Sequence, residues 1–200
     1  MIINDQNGRA INIKDFEKDE QALAAKYIEE NDVVFELGAR YGSVSCVINS
    51  KLKCKTNQLS VEPDYRVWGA LENNKRDNNC NFHIVKGFVS VNKLNISNID
   101  TFYGYGTTSI KDDNSNIPSF TMQEINEQYG LKFNVLVADC EGFLETFFDE
   151  NPGFYDNLRL IMFEADYPDK CNYDKIRDAL KERGFTNLLH GFQNVWVRNI

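Results

Sequence analysis

The chain has 200 residues, 42% of them hydrophobic, enough to build one domain around a substantial core. A formal net charge of -8 and a pI near 4.9 argue against a protein whose main task is to hold nucleic acid, because phosphate contact needs clustered Lys and Arg. The five cysteines include no C-x-x-C pair, so they suggest neither a disulfide framework nor a zinc site and fit a reducing compartment.

The N-terminus turns polar at once, and no apolar run approaches the ~18 residues of a membrane helix. A cytoplasmic protein without a membrane span is therefore expected. Within the lead of residues 1–31, Asp15 is placed to cap a helix that carries Phe16, Leu23 and Tyr27 on one face. A strand over 32–37 follows and runs through two glycines into a helix over 43–52. The alternation continues with a strand over 58–62, a helix over 64–78 and a strand over 82–89. From 90 to 118 the pattern dissolves into an Asn-, Asp-, Ser- and Gly-rich stretch, read as one long loop. Order resumes with a helix over 120–129, a strand over 133–139, a helix after Gly142 and a strand over 158–164. Tyr173, Ile176 and Leu180 fall at helical spacing before Gly184, and two short strands, 186–190 and 194–198, close the chain as a hairpin. Such an order builds one α/β domain, a mostly parallel sheet with helices on both faces and an antiparallel strand contributed by the terminal hairpin.

Gly38 and Gly42 sit on the first strand-to-helix turn, where a missing side chain lets the backbone approach a ligand. A dinucleotide fingerprint needs G-x-G-x-x-G, but Arg40 occupies the middle position and Ser43 the third. Glu36 would repel a pyrophosphate and suits a ligand carrying an ammonium and a sulfonium, as S-adenosylmethionine (SAM) does. Glu62 ends the second strand, where an acidic residue accepts hydrogen bonds from ribose hydroxyls in either cofactor class. The expected cofactor site takes in Glu36, Gly38, Ala39, Tyr41, Gly42, Ser43, Glu62 and Pro63, with Gly87 and Phe88 after the third strand and Asp139 after the fourth. The plainer alternative is an ordinary tight turn with solvated strand-end acids.

The fourth strand runs out in Asp139-Cys140-Glu141-Gly142, and strand geometry carried through would point Asp139 and Glu141 to the same side. Ligands of open α/β sheets bind beyond the carboxyl ends of the strands, so Glu36, Glu62, Asp139 and Glu164 are expected to form one acidic cleft. The competing reading is that Asp139 and Glu141 favour the N-terminus of the helix that follows.

The run Asp139-Cys140-Glu141-Gly142, preceded by Thr121-Met122-Gln123-Glu124-Ile125 and followed by Phe163-Glu164, resembles the FkbM family of SAM-dependent methyltransferases. In that family a D-x-E-G motif ends the fourth strand after a segment like T-L-D-x-L. Glu36-Leu37-Gly38-Ala39 is similar to the family's D-x-G-A, and Glu62-Pro63 with Asn73 to its E-P and helix asparagine. The chain departs from the pattern at Leu144, where the family has an acid, and at Val137, where it has a lysine. The resemblance implies a Rossmann-like class I methyltransferase fold with seven strands. It also implies O-methylation of a hydroxyl on a sugar, glycan or related small molecule.

Methyl transfer requires an aligned acceptor oxygen and a group to take its proton. Asp139 is the expected base or orienting carboxylate, with Glu141 and Glu164 as competitors; clustered carboxylates also suit Mg²⁺ or Mn²⁺. Tyr103, Tyr105, Thr107 and Thr108 are expected to form a substrate lid, since sugar faces pack on aromatic rings, and His190 to reach the cleft from the hairpin. No D/N-P-P-Y/F turn ends the fourth strand, which disfavours an exocyclic-amine methylase. The rival from another class is a non-catalytic SAM-fold module, motivated by Val137 and Leu144.

Overall fold

The computed structural model describes residues 1–12, 16–97 and 106–199. Seven strands form the central sheet: β1 (Val34–Leu37), β2 (Gln58–Glu62), β3 (His83–Lys86), β4 (Val135–Ala138), β5 (Leu160–Glu164), β6 (Thr186–Leu189) and β7 (Gln193–Val197). They lie in the order β6-β7-β5-β4-β1-β2-β3. All neighbours from β5 to β3 are parallel, and β7 runs antiparallel to both β5 and β6. The sheet layout read from the sequence is thus the observed one.

Six helices cover it: α1 (Lys18–Tyr27), α2 (Ser43–Lys51), α3 (Trp68–Asp77), α4 (Met122–Tyr129), α5 (Leu144–Glu150) and α6 (Tyr173–Glu182). Because β1 and β4 are buried on both faces, each alternate residue serves a different core. Val34, Val135 and Val137 pack with Ala24 of α1 and Val44 and Ile48 of α2. Phe35, Leu136 and Ala138 pack instead with Phe147 of α5 and Ile176 and Leu180 of α6. No helix among the described residues is long and apolar enough to cross a membrane.

At the end of the sheet away from the carboxyl termini of its parallel strands, buried Asp32 accepts from Arg159 Nε at 2.7 Å and from Asn134 Nδ2 at 3.1 Å. The opposite end is held by Asn74 of α3, whose Nδ2 donates to the carbonyls of Asn4 and Tyr41, each at 2.9 Å. Asn74, with no exposed surface, rather than exposed Asn73, is therefore the helix asparagine that shapes the loop after β1. The Thr121–Glu124 segment forms a capping box that starts α4: Thr121 Oγ1 accepts from Glu124 N at 3.2 Å, and Glu124 Oε2 from Thr121 N at 2.7 Å.

Four expectations need correction. The strand over 82–89 breaks at Gly87 (φ 151), after which Phe88–Val89 leaves the sheet to pair in parallel with Ser119–Phe120. The long loop contains an antiparallel ladder, Leu94–Ser97 against Thr108–Lys111, whose short alternating strands are hidden by the polar residues around them. Phe16 is exposed ahead of α1, while Leu23 and Tyr27 pack, half-buried, against the core beside buried Ala24; Asp15 lies outside the described residues. The fourth strand ends at Ala138, and Glu141 turns left-handed (φ 52), so strand alternation does not relate Asp139 to Glu141.

Candidate active site

Two cavities open at the carboxyl ends of the parallel strands, and Gly38 and Asp139 lie on the wall of both. The larger encloses about 740 Å³, part of it open to solvent. It is lined by Leu37 and Val61, by Glu62, Pro63 and Phe88, by Cys140, Glu141 and Phe143, and by Thr107 with Thr108 and Ser109 of the ladder strand that follows it. The smaller, about 410 Å³, lies on the α1–α2 face between Leu23, Val44 and Met162 and gathers Glu17, Glu20, Glu36, Asp139 and Glu164.

Glu62 is fixed by the backbone on either side of the larger cavity. Its Oε2 accepts from Arg40 N at 2.6 Å and its Oε1 from Asp64 N at 2.7 Å. A carboxylate oxygen has two lone pairs, so each oxygen keeps one for a ligand hydroxyl. Burial nevertheless raises its pKa to about 7, against the pull of those N–H groups and Arg40.

Glu36 is 1% exposed and is held from one side only. Its Oε2 accepts from Ser45 Oγ at 2.6 Å and Ser60 Oγ at 2.5 Å, and Gln58 Nε2 donates to Ser60 Oγ and to the Ser45 carbonyl within the same buried polar network. Its Oε1 is buried without a partner. Burial lifts its pKa to about 7.

Beyond β5 the acids crowd. Gln193 Nε2 donates to Glu164 Oε2 at 3.0 Å and also to Glu20. Asp139, Glu164 and Asp166 each bring one oxygen within 4.8 Å of the others, and buried Asp166 Oδ2 has no partner among the described residues while its Oδ1 accepts from Tyr173 OH at 2.7 Å. Desolvation, then the charges of Glu17 and Asp166, raises Asp139 well above the usual carboxylate range. Desolvation and the contact with Glu20 push Glu164 to about 10; burial takes Glu17 to about 8. The crowd therefore holds protons that the unfolded chain releases near pH 4.5. Acids with raised folded-state pKa values give a contribution that is full below their unfolded values and is lost as pH climbs to the folded ones. The window here runs from about pH 4.5 to 7 for Glu36 and Glu62 and up to about 10 for Glu164. At ~1.4 kcal/mol per unit, Glu36 and Glu62 each withdraw about 3 kcal/mol across their window. We expect the melting temperature of the ligand-free protein to fall steadily between pH 6 and pH 9; a flat profile would contradict these environments.

Of the residues expected at the site, Gly38, Glu62, Pro63, Phe88, Asp139, Glu141, Thr107 and Thr108 line the larger cavity, and Glu36 and Glu164 the smaller. Glu36 and Glu62 thus belong to separate cavities rather than one cleft. Ala39, Tyr41, Gly42, Ser43 and Gly87 line neither. Ala39 and Tyr41 are packed with Ile3 and Leu71, Ser43 Oγ donates to Glu17, and a Cβ on Gly87 would lie 2.3 Å from Pro118 O. His190 is exposed on the hairpin and lines neither cavity. Tyr103 and Tyr105 lie outside the described residues. Of the departures, Leu144 is core, and Glu145 beside it accepts from Asn172 N at 2.7 Å, away from both cavities. Sequence reasoning missed Glu17, Glu20, Gln193 and Asp166. Only the last had a signal, since Glu164-Ala165-Asp166 repeats the acid-x-acid spacing of Asp139-Cys140-Glu141.

The fold is that of class I SAM-dependent methyltransferases. An rRNA methylase from Streptococcus thermophilus superposes with a TM-score of 0.57 at 10% identity, covering 90% of this chain and 94% of that one. The O-methyltransferase from Bacillus cereus, solved in complex with SAH, gives 0.56 at 13% identity, covering 90% and 80%. A precorrin-6y C5,15-methyltransferase from Geobacter metallireducens gives 0.53 at 13%, covering 89% and 88%. Neither the protein-family models nor the curated proteins match this sequence. One fold here serves RNA, O- and precorrin methylases, so it gives no support to the exclusion of nucleic acid argued from net charge.

Proposed function

We propose that the chain is a SAM-dependent O-methyltransferase of the FkbM kind, acting on a hydroxyl of a sugar, glycan or related small molecule. The observation that carries this reading is the position of Asp139 on the shared wall of the two cavities. The residues present fit the cofactor. The larger cavity is read as the cofactor's: Glu62 offers lone pairs to a ribose and Pro63 and Phe88 offer apolar surface to a base, while Glu36, whose Oε1 has no partner among the described residues, offers charge for an ammonium from the smaller cavity across the shared wall of Gly38 and Asp139. When bound, SAM supplies an electrophilic methyl group. The chain's own task is to exclude water, orient the acceptor and remove its proton. Asp139 is the assigned base because it borders both cavities, and desolvation, which raises its pKa, makes its carboxylate a stronger proton acceptor than a solvated one. Glu164 and Asp166 beside it make the trio suitable for a hard divalent cation such as Mg²⁺ or Mn²⁺, which would polarise the acceptor oxygen.

Calorimetric titration with S-adenosylhomocysteine, with NAD as a control ligand, tests the reading. The expected result is binding of the first alone. Glu62→Ala should weaken it roughly tenfold to a hundredfold, the loss of hydrogen bonds to a charged group. Absence of binding by the folded wild-type protein would overturn the enzyme assignment and favour a non-catalytic module.

A further inference from the structure

We propose that Glu141 is a positioning residue that clamps the ladder strand Thr108–Lys111 over the larger cavity, rather than a base in the reaction. The inference rests on the reading of that cavity as the cofactor's.

Three side chains from the loops after β4 and β5 converge on the start of this strand. Glu141 Oε1 accepts from Gly106 N at 2.9 Å, Tyr167 OH donates to Gly106 O at 3.4 Å, and Lys170 Nζ donates to Thr108 Oγ1 at 2.7 Å. Gly106 is thus gripped through both its N–H and its C=O. On the opposite wall Arg66, paired with buried Asp64 at 2.6 Å, reaches Thr107 Oγ1 at 3.4 Å. Thr107, Thr108 and Ser109 are cavity-lining residues, so these contacts decide where this part of the cavity wall lies.

The backbone supports the assignment independently. Glu141 (φ 52) and Tyr167 (φ 37) are both left-handed without being glycine, a conformation that persists only where the surroundings over-determine it. Between them Gly142 (φ 84) lets the loops touch: a Cβ there would stand 3.0 Å from Lys170 Cβ and 3.2 Å from Tyr167 Cβ. Two unfavourable backbone positions, brought together by one glycine, both aim at Gly106. The Glu141 carboxyl is thus already engaged by the Gly106 amide, on the side that faces the start of the ladder strand.

Hydrogen exchange read by mass spectrometry over residues 106–111, in the ligand-free protein, reports the clamp directly, because the Gly106 amide is the bonded group. Glu141→Ala is expected to speed exchange in this segment by about tenfold and to weaken S-adenosylhomocysteine binding by at least about fivefold. Glu141→Gln retains an acceptor oxygen and should keep both within about twofold. Tyr167→Phe removes a single hydroxyl, guards against a misfolded first variant, and should give a smaller increase in the same segment. Unchanged exchange in folded Glu141→Ala and in Tyr167→Phe would overturn the clamp, as would Glu141→Gln loosening the segment as much as alanine. Failure of the cofactor reading shows separately, as wild-type protein that does not bind the ligand while the exchange pattern holds.

Discussion

Replacing Gly38 by alanine is expected to leave little folded protein. A Cβ at this position would lie 1.7 Å from the carbonyl oxygen of Asp139 and 2.8 Å from its carbonyl carbon, and the residue has φ 87. Neither atom is the end of a flexible side chain; both belong to the backbone leaving β4, which is hydrogen-bonded to β1 through Asp139 N and Leu37 O at 3.0 Å. Relief therefore requires two central strands to part. Strain in the left-handed region alone costs about 1–3 kcal/mol, and the clash should take the total loss beyond about 4 kcal/mol, a large part of a typical domain's stability. Gly69→Ala is the matched control: it lies in α3 with nothing within 4 Å of the added carbon, and should be neutral or stabilising by up to about 1 kcal/mol. Urea denaturation of the two variants decides the matter, and a Gly38→Ala protein within 1 kcal/mol of wild type, roughly the error of such comparisons, would refute the packing argument.

The same glycine shows how far the sequence could be read. Its position on a strand-to-helix turn was legible from the apolar run before it and the helix after it. Its reason was not: the missing side chain makes room for the backbone of a strand about a hundred residues away, in addition to bordering both cavities. The parallel core of the central sheet, with its antiparallel terminal strand, was legible for a related reason. Strands buried on both faces, such as Val34–Leu37 and Val135–Ala138, read as short apolar runs, and their alternation with helices leaves few topologies open. The ladder Leu94–Ser97 with Thr108–Lys111 was not, because its pairing partners are separated by a polar segment and each face mixes apolar with polar residues, Leu94 and Ile96 with Ser109 and Lys111 on one, Ile110 with Asn95, Ser97 and Thr108 on the other.

Residues that reach the site from remote elements were the least legible. Glu17 and Glu20 sit on or before a helix with a polar sequence, and nothing local distinguishes them from solvated acids. Only the meeting of α1 with β5 and β7 turns them inward, to Ser43, Gln193 and Glu164. Asp139 and Glu141 present the converse case. Their spacing suggested equivalent carboxylates, yet the left-handed turn at Glu141 sends it to Gly106 while Asp139 borders both cavities.

That crowding of acids sets stability against catalysis, and Asp139→Asn and Glu164→Gln should expose the conflict. At pH 8 both carboxyls are held in surroundings that disfavour their charge, with Glu164 raised to about 10 and Asp139 displaced in the same direction by burial and by Glu17 and Asp166. An amide of the same shape has no charge to desolvate or repel. Each substitution is therefore expected to stabilise the ligand-free protein at pH 8, by about 1–3 kcal/mol, and to flatten the fall of melting temperature with pH. The gain should vanish as the pH falls below the unfolded values, 4.5 for Glu164 and 3.8 for Asp139, where the wild-type carboxyls are protonated in the folded and unfolded chains alike. Function should move the other way: an amide cannot accept the acceptor's proton, so Asp139→Asn is expected to lower methyl transfer by about a thousandfold while leaving S-adenosylhomocysteine affinity within about threefold. Thermal melts at pH 4.5, 6 and 8 need no acceptor and test the electrostatic half first. If Asp139→Asn destabilises at pH 8 as much as a core substitution would, the carboxylate is a structural partner in the fold, and the assignment of Asp139 as base loses its physical ground.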